Sequence, residues 1–230
     1  MYLMQKRLLW ITLLALMVGV SSGACRATST DGPEAAPTRE LPAPRLDGDM
    51  ALEAAIAERR SVRTFRSDPL TQEQIGQLLW AAQGITDDLQ GFRAAPSAGA
   101  LYPLEIYVIL PDGLYHYQPD GHRLTRLTTE DLRSAVWEAG LRQGALREAP
   151  AIFLFTAVYA RTAERYGDRA PRYVHIEVGH AAQNLLLQAV ALGLSSVPIG
   201  AMEDEQLQSA LDLPDEHEPL YLLPVGYPDA

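Results

Sequence analysis

A chain of 230 residues with a formal charge of −10 and one cysteine is neither a polyanion-binding module nor a disulfide scaffold. Nucleic-acid affinity comes chiefly from phosphate neutralisation, and a lone thiol closes no intrachain bridge. Lys6 is the single lysine, and removal of a leader carrying Lys6 and Arg7 would take the charge to −12, which excludes Schiff-base chemistry in the remainder.

In chain order, residues 1–24 read as an export signal: Lys6 and Arg7 precede a 13-residue apolar run, Leu8 to Val20, followed by small residues. That run is short for a membrane span. Cys25 follows Ser22-Gly23-Ala24, where a bacterial lipoprotein signal places the residue to be acylated. Such signals usually carry an aliphatic residue where Ser22 stands, so cleavage after Ala24 by an ordinary signal peptidase is the alternative. The expectation is an exported, membrane-anchored lipoprotein of the cell envelope or periplasm, touching the membrane only through its lipid. Residues 25–48, with Pro33, Pro37, Pro42 and Pro44 and no apolar periodicity, predict a disordered tether. Residues 49–230 suffice for one domain.

Leu52, Ala55, Ile56 and Arg59 recur at helical spacing after Asp49, a predicted N-cap. Arg59-Arg60-Ser61-Val62-Arg63-Thr64-Phe65 then places three guanidinium groups and a hydroxyl at the helix end and the loop beyond. Arginine offers a planar fork of permanent donors, suited to phosphate oxygens. Thr71 with Gln74 predicts a capping box, Ile75, Leu78, Leu79 and Ala82 an apolar stripe, and Gly84 the stop. Glu105 to Leu110, Leu114 to Gln118 and His122 to Leu127, joined at Asp112-Gly113 and Asp120-Gly121, predict an antiparallel meander. Ala151 to Val158 and Leu220 to Val225 read as central strands. Arg172 to Leu192 reads as a long helix, apolar on more than one side, ending at Gly193: a buried centre or half of a dimer interface. Strands mixed with helices without regular βαβ alternation give an α+β sandwich.

Three further motifs stand in register with the arginine cluster: Ala95-Pro96-Ser97-Ala98-Gly99-Ala100-Leu101-Tyr102-Pro103, Gly193-Leu194-Ser195-Ser196-Val197-Pro198-Ile199-Gly200-Ala201, and Tyr221-Leu222-Leu223-Pro224-Val225-Gly226-Tyr227-Pro228. With Glu177-Val178-Gly179-His180-Ala181-Ala182-Gln183-Asn184 on the long helix, they resemble the nitroreductase family, and within it the SagB-type dehydrogenase branch, over about residues 50 to 228. The resemblance implies a nitroreductase-like α/β sandwich, a central mostly antiparallel sheet flanked by helices in an intertwined homodimer. It also implies an FMN-dependent oxidoreductase passing hydride through flavin N5 from a donor such as NAD(P)H to an electron-poor small molecule.

Carried over residue by residue, the resemblance puts Arg59 on the FMN phosphate with Ser61 beside it. Because the basic residue many family members carry near the C-terminus has no counterpart before Asp229-Ala230, phosphate affinity would rest on Arg59 and Arg60 or on an arginine the resemblance leaves unmatched. Arg63 falls near the pyrimidine edge of the ring, where reduction builds negative charge and a fixed cation stabilises it. The backbone N–H of Ile199 or Gly200, after Pro198, would face N5, and Gly200 would let the chain approach the flat ring. Pro96, Ser97, Ala98 and Gly99 would come from the partner subunit and cover the same flavin. Residues 84–95 and 137–148, which carry no signature, would line its outer face.

No metal site is expected, because the interval from His175 to His180 sets two imidazoles about 140° apart on a helix. His116 and His122 fall on hairpin strands and are expected to be exposed. Two other functions compete. Azoline dehydrogenation in peptide maturation, known in the SagB-type branch, relies there on a lysine-tyrosine pair that Arg165-Tyr166 matches only in shape, since arginine cannot serve as a base. A non-catalytic flavin- or ligand-binding lipoprotein is the other, because nicotinamide is scarce outside the cytoplasm.

Overall fold

The computed structural model describes residues 37–229. The expected leader, Cys25 and the tether as far as residue 36 lie outside the described residues. The expected boundary at residue 49 comes too late. Thr38–Glu40 forms strand β1, paired with residues 123–125, and Leu41 is buried. Gln77 clasps the Arg45 backbone on both sides, N–H to Oε1 at 2.8 Å and Nε2 to carbonyl at 3.0 Å. A proline-rich stretch can add to a sheet edge, since an edge strand needs donors on one side only.

Helix α1 (Leu52–Glu58) follows Ala51, which makes no side-chain cap, so Asp49 is not the N-cap. Helix α2 (Gln72–Gln83) starts with the expected reciprocal box between Thr71 and Gln74. Gly84 ends α2 at φ −64°, so its need for glycine is space, because a Cβ there would lie 2.4 Å from Trp80. A small hairpin, β2 (Ile85–Asp87) and β3 (Phe92–Arg93), precedes the meander β4 (Leu104–Leu110), β5 (Gly113–Gln118) and β6 (Arg123–Thr128). Short helices α3 (Arg133–Ala139) and α4 (Gly144–Glu148) lead into β7 (Ala151–Ala157). Helix α5 (Tyr159–Tyr166) and the long α6 (Ala170–Ala191) follow, then β8 (Ser195–Ser196), α7 (Asp204–Ala210) and β9 (Glu218–Gly226).

The main sheet runs β1-β6-β5-β4-β7-β9-β8, and every pairing between these strands is antiparallel. Alternation then builds two cores from one sheet. Ile106, Val108, Phe153, Phe155, Leu223 and Val225 pack on one face with α2 and α6, while Tyr107, Ile109, Ile152, Leu154 and Leu222 pack on the other with α3, α4 and α7. Helix α6 is the buried centre that its all-round apolarity suggested, although Ile176 remains 47% exposed and Gly179 meets nothing within 4 Å. The fold is thus α+β, a mostly antiparallel sheet flanked by helices.

The two hairpin histidines are not exposed as expected. His116 lies stacked at 4.6 Å on Tyr107 with Nε2 2.7 Å from Glu105, and Tyr117 and His122 Nδ1 are 2.9 Å apart. The alternation of β5 turns His116 toward the covered face beside Tyr107 and Glu105 on β4.

Candidate functional site

The arginine cluster is fixed by what surrounds it. Phe65 is buried and bridges Pro228, Arg66 N–H donates to the Tyr227 carbonyl, and Val62 N–H donates to the Ser196 carbonyl. Gly226 makes room for this crossing, since a Cβ there would meet Phe65 at 2.9 Å. The loop therefore runs beside β8 and the end of β9, and Ser61 forms a parallel bridge with Ser196. Arg63 and Ile199 then line one cleft of about 400 Å³ with Thr64, Gly144, Val197 and Glu148.

On the segments around that cleft the donors divide into spent and unspent. Arg60 caps α1, donating to the Ala57 and Arg59 carbonyls at 2.8 Å, which ties its guanidinium to the helix end. Arg59, half-buried, has no side-chain partner among the described residues, and Arg63 makes only a 3.4 Å contact to the Ser61 carbonyl. Ile199 N–H is used by the Leu222 carbonyl at 2.9 Å, so of the two candidate donors toward a ring only Gly200 keeps a free N–H. The nearest atom to a Cβ built on Gly200 is 3.8 Å away, on Tyr221. Its own chain does not require glycine there; a close-lying planar ligand would. Ser196 Oγ is buried without a partner a few atoms from Ser61, and a buried orphan hydroxyl is the kind of group a ligand oxygen satisfies.

Gln143, in the segment 137–148, and Ser196, in the motif ending at Ala201, take roles that were not expected of them. Gln143 donates to the Gly140 carbonyl at 2.9 Å and the Ala201 carbonyl at 3.0 Å, clamping the strained turn at Leu141 (φ 58°) and Arg142 (φ 55°) against the segment that holds Gly200. Of the segments expected to line an outer face, residues 143–148 reach this cleft, while 84–95 form the separate β2–β3 hairpin. Nothing in the local sequence singles out Gln143 or Ser196, because their roles arise from pairing across the fold.

Pro96 to Gly99 lies elsewhere. Leu104 pairs with Ala157 and Ala157 with Glu218 at one end of the sheet; Ile152 with Pro224 and Ser196 with Val225 mark the other. Six strand residues at about 3.3 Å each separate the two ends by about 20 Å. One chain therefore does not bring Ser97 onto the Arg63 cleft.

At its own end the Ser97 loop is held tightly. Gly99, Ala100 and Tyr102 all have positive φ (64°, 54° and 47°), a conformation that costs roughly 1–3 kcal/mol per non-glycine residue and persists only when neighbours fix it. Ser97 Oγ accepts from Tyr102 N–H at 2.9 Å, Tyr102 OH accepts from Arg93 N–H at 3.1 Å, and Arg161 donates to the Tyr102 carbonyl at 3.1 Å. Arg161 is itself 2.5 Å from Glu105. Burial alone would raise the Glu105 carboxyl, but His116 and Arg161 hold it down at about 2. Beneath the loop sits Glu177, 2% exposed on α6. Burial pushes its carboxyl up to about 7, opposed by hydrogen bonds from Ser97 and Gln83 and by the Arg93 charge.

Among the described residues no cluster of His, Cys, Asp or Glu is arranged to hold a metal, and no helix is long and apolar enough to cross a membrane.

The profile of the Nitroreductase family matches residues 56–227. A nitroreductase candidate of Methanocaldococcus jannaschii is 42% identical over 195 residues, covering 82% of this chain and 96% of that protein. The NAD(P)H-dependent FMN reductase of Bacillus subtilis is 24% identical over 192 residues, 76% of this chain and 64% of that protein. Among solved structures, a nitroreductase candidate of Ralstonia eutropha superposes with a TM-score of 0.76 at 31% identity, covering 84% of this chain and 90% of that one. Most of the folded chain, including both the arginine cluster and the Gly200 turn, falls inside these matches, and the chain belongs to the nitroreductase family of oxidoreductases.

Proposed function

We propose that the chain is an FMN-dependent oxidoreductase of the SagB-type branch, working as a homodimer with each flavin shared between two copies. The carrying observation is a set of unspent donors on neighbouring segments: Arg63, which lines the cleft, Arg59 on the same loop, and the orphan Ser196 hydroxyl and the Gly200 N–H, which flank the cleft's Val197 and Ile199. These residues fit the cofactor in kind. Arg59 supplies a permanent fork for a phosphate dianion, Gly200 leaves a planar ring room at the strand end, and Arg63 holds positive charge beside it.

When bound, FMN would supply a two-electron carrier, taking a hydride from a reduced nicotinamide and giving it to an electron-poor acceptor. The protein's part is electrostatic and positional. Arg63 favours the reduced, more anionic form of whatever ring lies against it. The braced Ser97 loop of a second copy would cover that ring and keep water out. Apolar side chains left exposed on α1 and α6, Leu52, Ile56 and Ile176, supply surface for the second copy.

Purified protein should carry the flavin absorbance bands, lose them under anaerobic NADH or NADPH, and regain them when a nitroaromatic is added. Bands that persist under both nicotinamides would instead support the non-catalytic flavin carrier. Azoline oxidation is disfavoured, because Arg165 stands where a lysine base is needed. We also propose that Cys25 carries a lipid; Cys25→Ser should move the protein out of the membrane fraction, and retention there would contradict acylation.

A further inference from the structure

Glu177 of α6 (2% exposed) and Gln83 of α2 (1% exposed) lie beneath the Ser97 loop in one closed circuit of hydrogen bonds. The Arg93 guanidinium donates to Gln83 Oε1 at 3.3 Å, and Gln83 Nε2 donates to Glu177 Oε1 at 3.4 Å. Ser97 donates its hydroxyl proton to the Glu177 carboxylate and accepts from Tyr102 N–H at 2.9 Å. Tyr102 OH accepts from Arg93 N–H at 3.1 Å, which closes the circuit.

The bonds of this circuit have a fixed direction. A guanidinium only donates, so the Gln83 amide is held with its oxygen toward Arg93 and can only donate toward Glu177. The Tyr102 N–H likewise only donates to Ser97. Between these two donors the contact of Glu177 with Ser97 has room for one proton. With Glu177 ionised, that proton belongs to the Ser97 hydroxyl. With Glu177 protonated there are two, and in the circuit the only acceptor open to the buried carboxyl is Ser97 Oγ. The acid proton then takes the contact, and the half-buried Ser97 hydroxyl turns its own proton outward. Burial pushes the Glu177 carboxyl up to about 7, so both states occur near neutrality. Arg93 is the charge that acts on Glu177 directly, opposing its protonation, while Glu105 on β4, Arg161 on α5 and the Tyr102 phenol act on Arg93 in turn. His180, one turn along α6, is exposed.

We propose that Glu177 is a positioning residue whose proton decides whether the Ser97 hydroxyl donates to the bound flavin or is turned away from it, so that FMN is held more tightly while Glu177 is protonated. This rests on the reading above, in which the Ser97 loop of one copy covers the flavin of the other. A phosphate, ring carbonyls and ring nitrogens offer mostly acceptors. A hydroxyl that donates outward therefore gains a hydrogen bond, whereas one that donates inward presents only a lone pair. The loop is fixed at the positive φ of Gly99, Ala100 and Tyr102, so the change rotates one hydroxyl and needs no movement of the backbone. Glu177 is buried behind Ser97 and acts through it.

The test measures FMN dissociation constants by fluorescence quenching in the purified protein at about pH 6 and about pH 8, either side of the Glu177 transition. Because the FMN phosphate itself titrates at about pH 6, each variant is compared with wild type at the same pH. Glu177→Gln carries a permanent donor toward Ser97. It should match wild type at the lower pH and bind FMN about 3–10-fold more tightly than wild type at the higher, the worth of one neutral hydrogen bond. In a Ser97→Ala background the same substitution should change affinity less than about twofold at either pH, and Ser97→Thr should restore the response. Independently of flavin, the infrared carbonyl stretch of a protonated carboxyl should be present in the apoprotein at the lower pH, fade at the higher and be missing from Glu177→Gln. Glu177→Gln that tracks wild type at both pH values, an effect that survives Ser97→Ala, or absence of that infrared band, in protein that is visibly yellow with FMN, would overturn this proposal alone. Protein that takes up no flavin would overturn the functional reading beneath it as well.

Discussion

At one end of the sheet, around Arg63 and Gly200, polar groups are left over; at the other, around Ser97 and Tyr102, nearly all are consumed. Arg59, the Gly200 N–H and Ser196 Oγ have no protein partner, whereas Ser97, Tyr102, Arg93, Arg161, Glu105 and Glu177 bind one another. An unsatisfied buried group costs stability and is kept where a ligand completes it; a satisfied network holds a strained loop in one shape. On the function proposed above the first end is a receptor and the second a preformed cover, and the sheet's length keeps the two apart within one chain.

The largest expected effect falls on the cover. Glu105→Gln removes the anion between His116 and Arg161 and should cost about 1–3 kcal/mol, the worth of hydrogen bonds to a charged, partly buried group, read as a fall in denaturation midpoint. Because the Glu105 carboxyl is held at about 2, below its ordinary 4.5, its contribution is present above pH 4.5 and lost as pH falls toward 2. Glu177 has the opposite sign. With its carboxyl raised to about 7, its contribution is complete below pH 4.5 and is lost as pH climbs through 7, about 3 kcal/mol in all. Glu177→Gln should flatten the melting temperature between pH 5 and pH 8; an unchanged slope would remove Glu177 from the loop's support.

On the receptor side, Arg59→Ala should weaken FMN binding by about 10–100-fold, the worth of a charge-assisted hydrogen bond, measured by fluorescence quenching, with the melting temperature of the apoprotein unchanged. Arg63→Ala should lower the flavin midpoint potential and slow reduction about tenfold while sedimentation still reports a dimer. The smallest effect on the fold belongs to Gly200→Ala, less than about 0.5 kcal/mol, since the nearest atom is 3.8 Å from its Cβ. If flavin binding is equally untouched, no ring lies against that backbone.

Where local chemistry decides, the sequence was readable. The Thr71–Gln74 box, the Gly113 and Gly121 turns, the apolar run of β7 and the extent of α6 all appear as the pattern indicates, and the arginine cluster does sit at a helix end against Ser196 and Ile199. Long-range pairing was not readable. The β1 strand hides among prolines because its partner is 85 residues away. Arg60 is committed through Nη1 to the end of α1, a bond no local pattern announces, and the choice between Ile199 and Gly200 turned on Leu222, a residue outside the motif. His116 and Glu105 each look like surface residues until β4 and β5 pair and join them.

The most direct test is to saturate the purified domain with FMN, remove the excess and count flavin per chain against oligomeric state. A dimer holding one FMN in each of its two sites is the expected result. A protein that stays colourless in excess FMN, or a monomer that binds it with full affinity, would contradict the shared-site account.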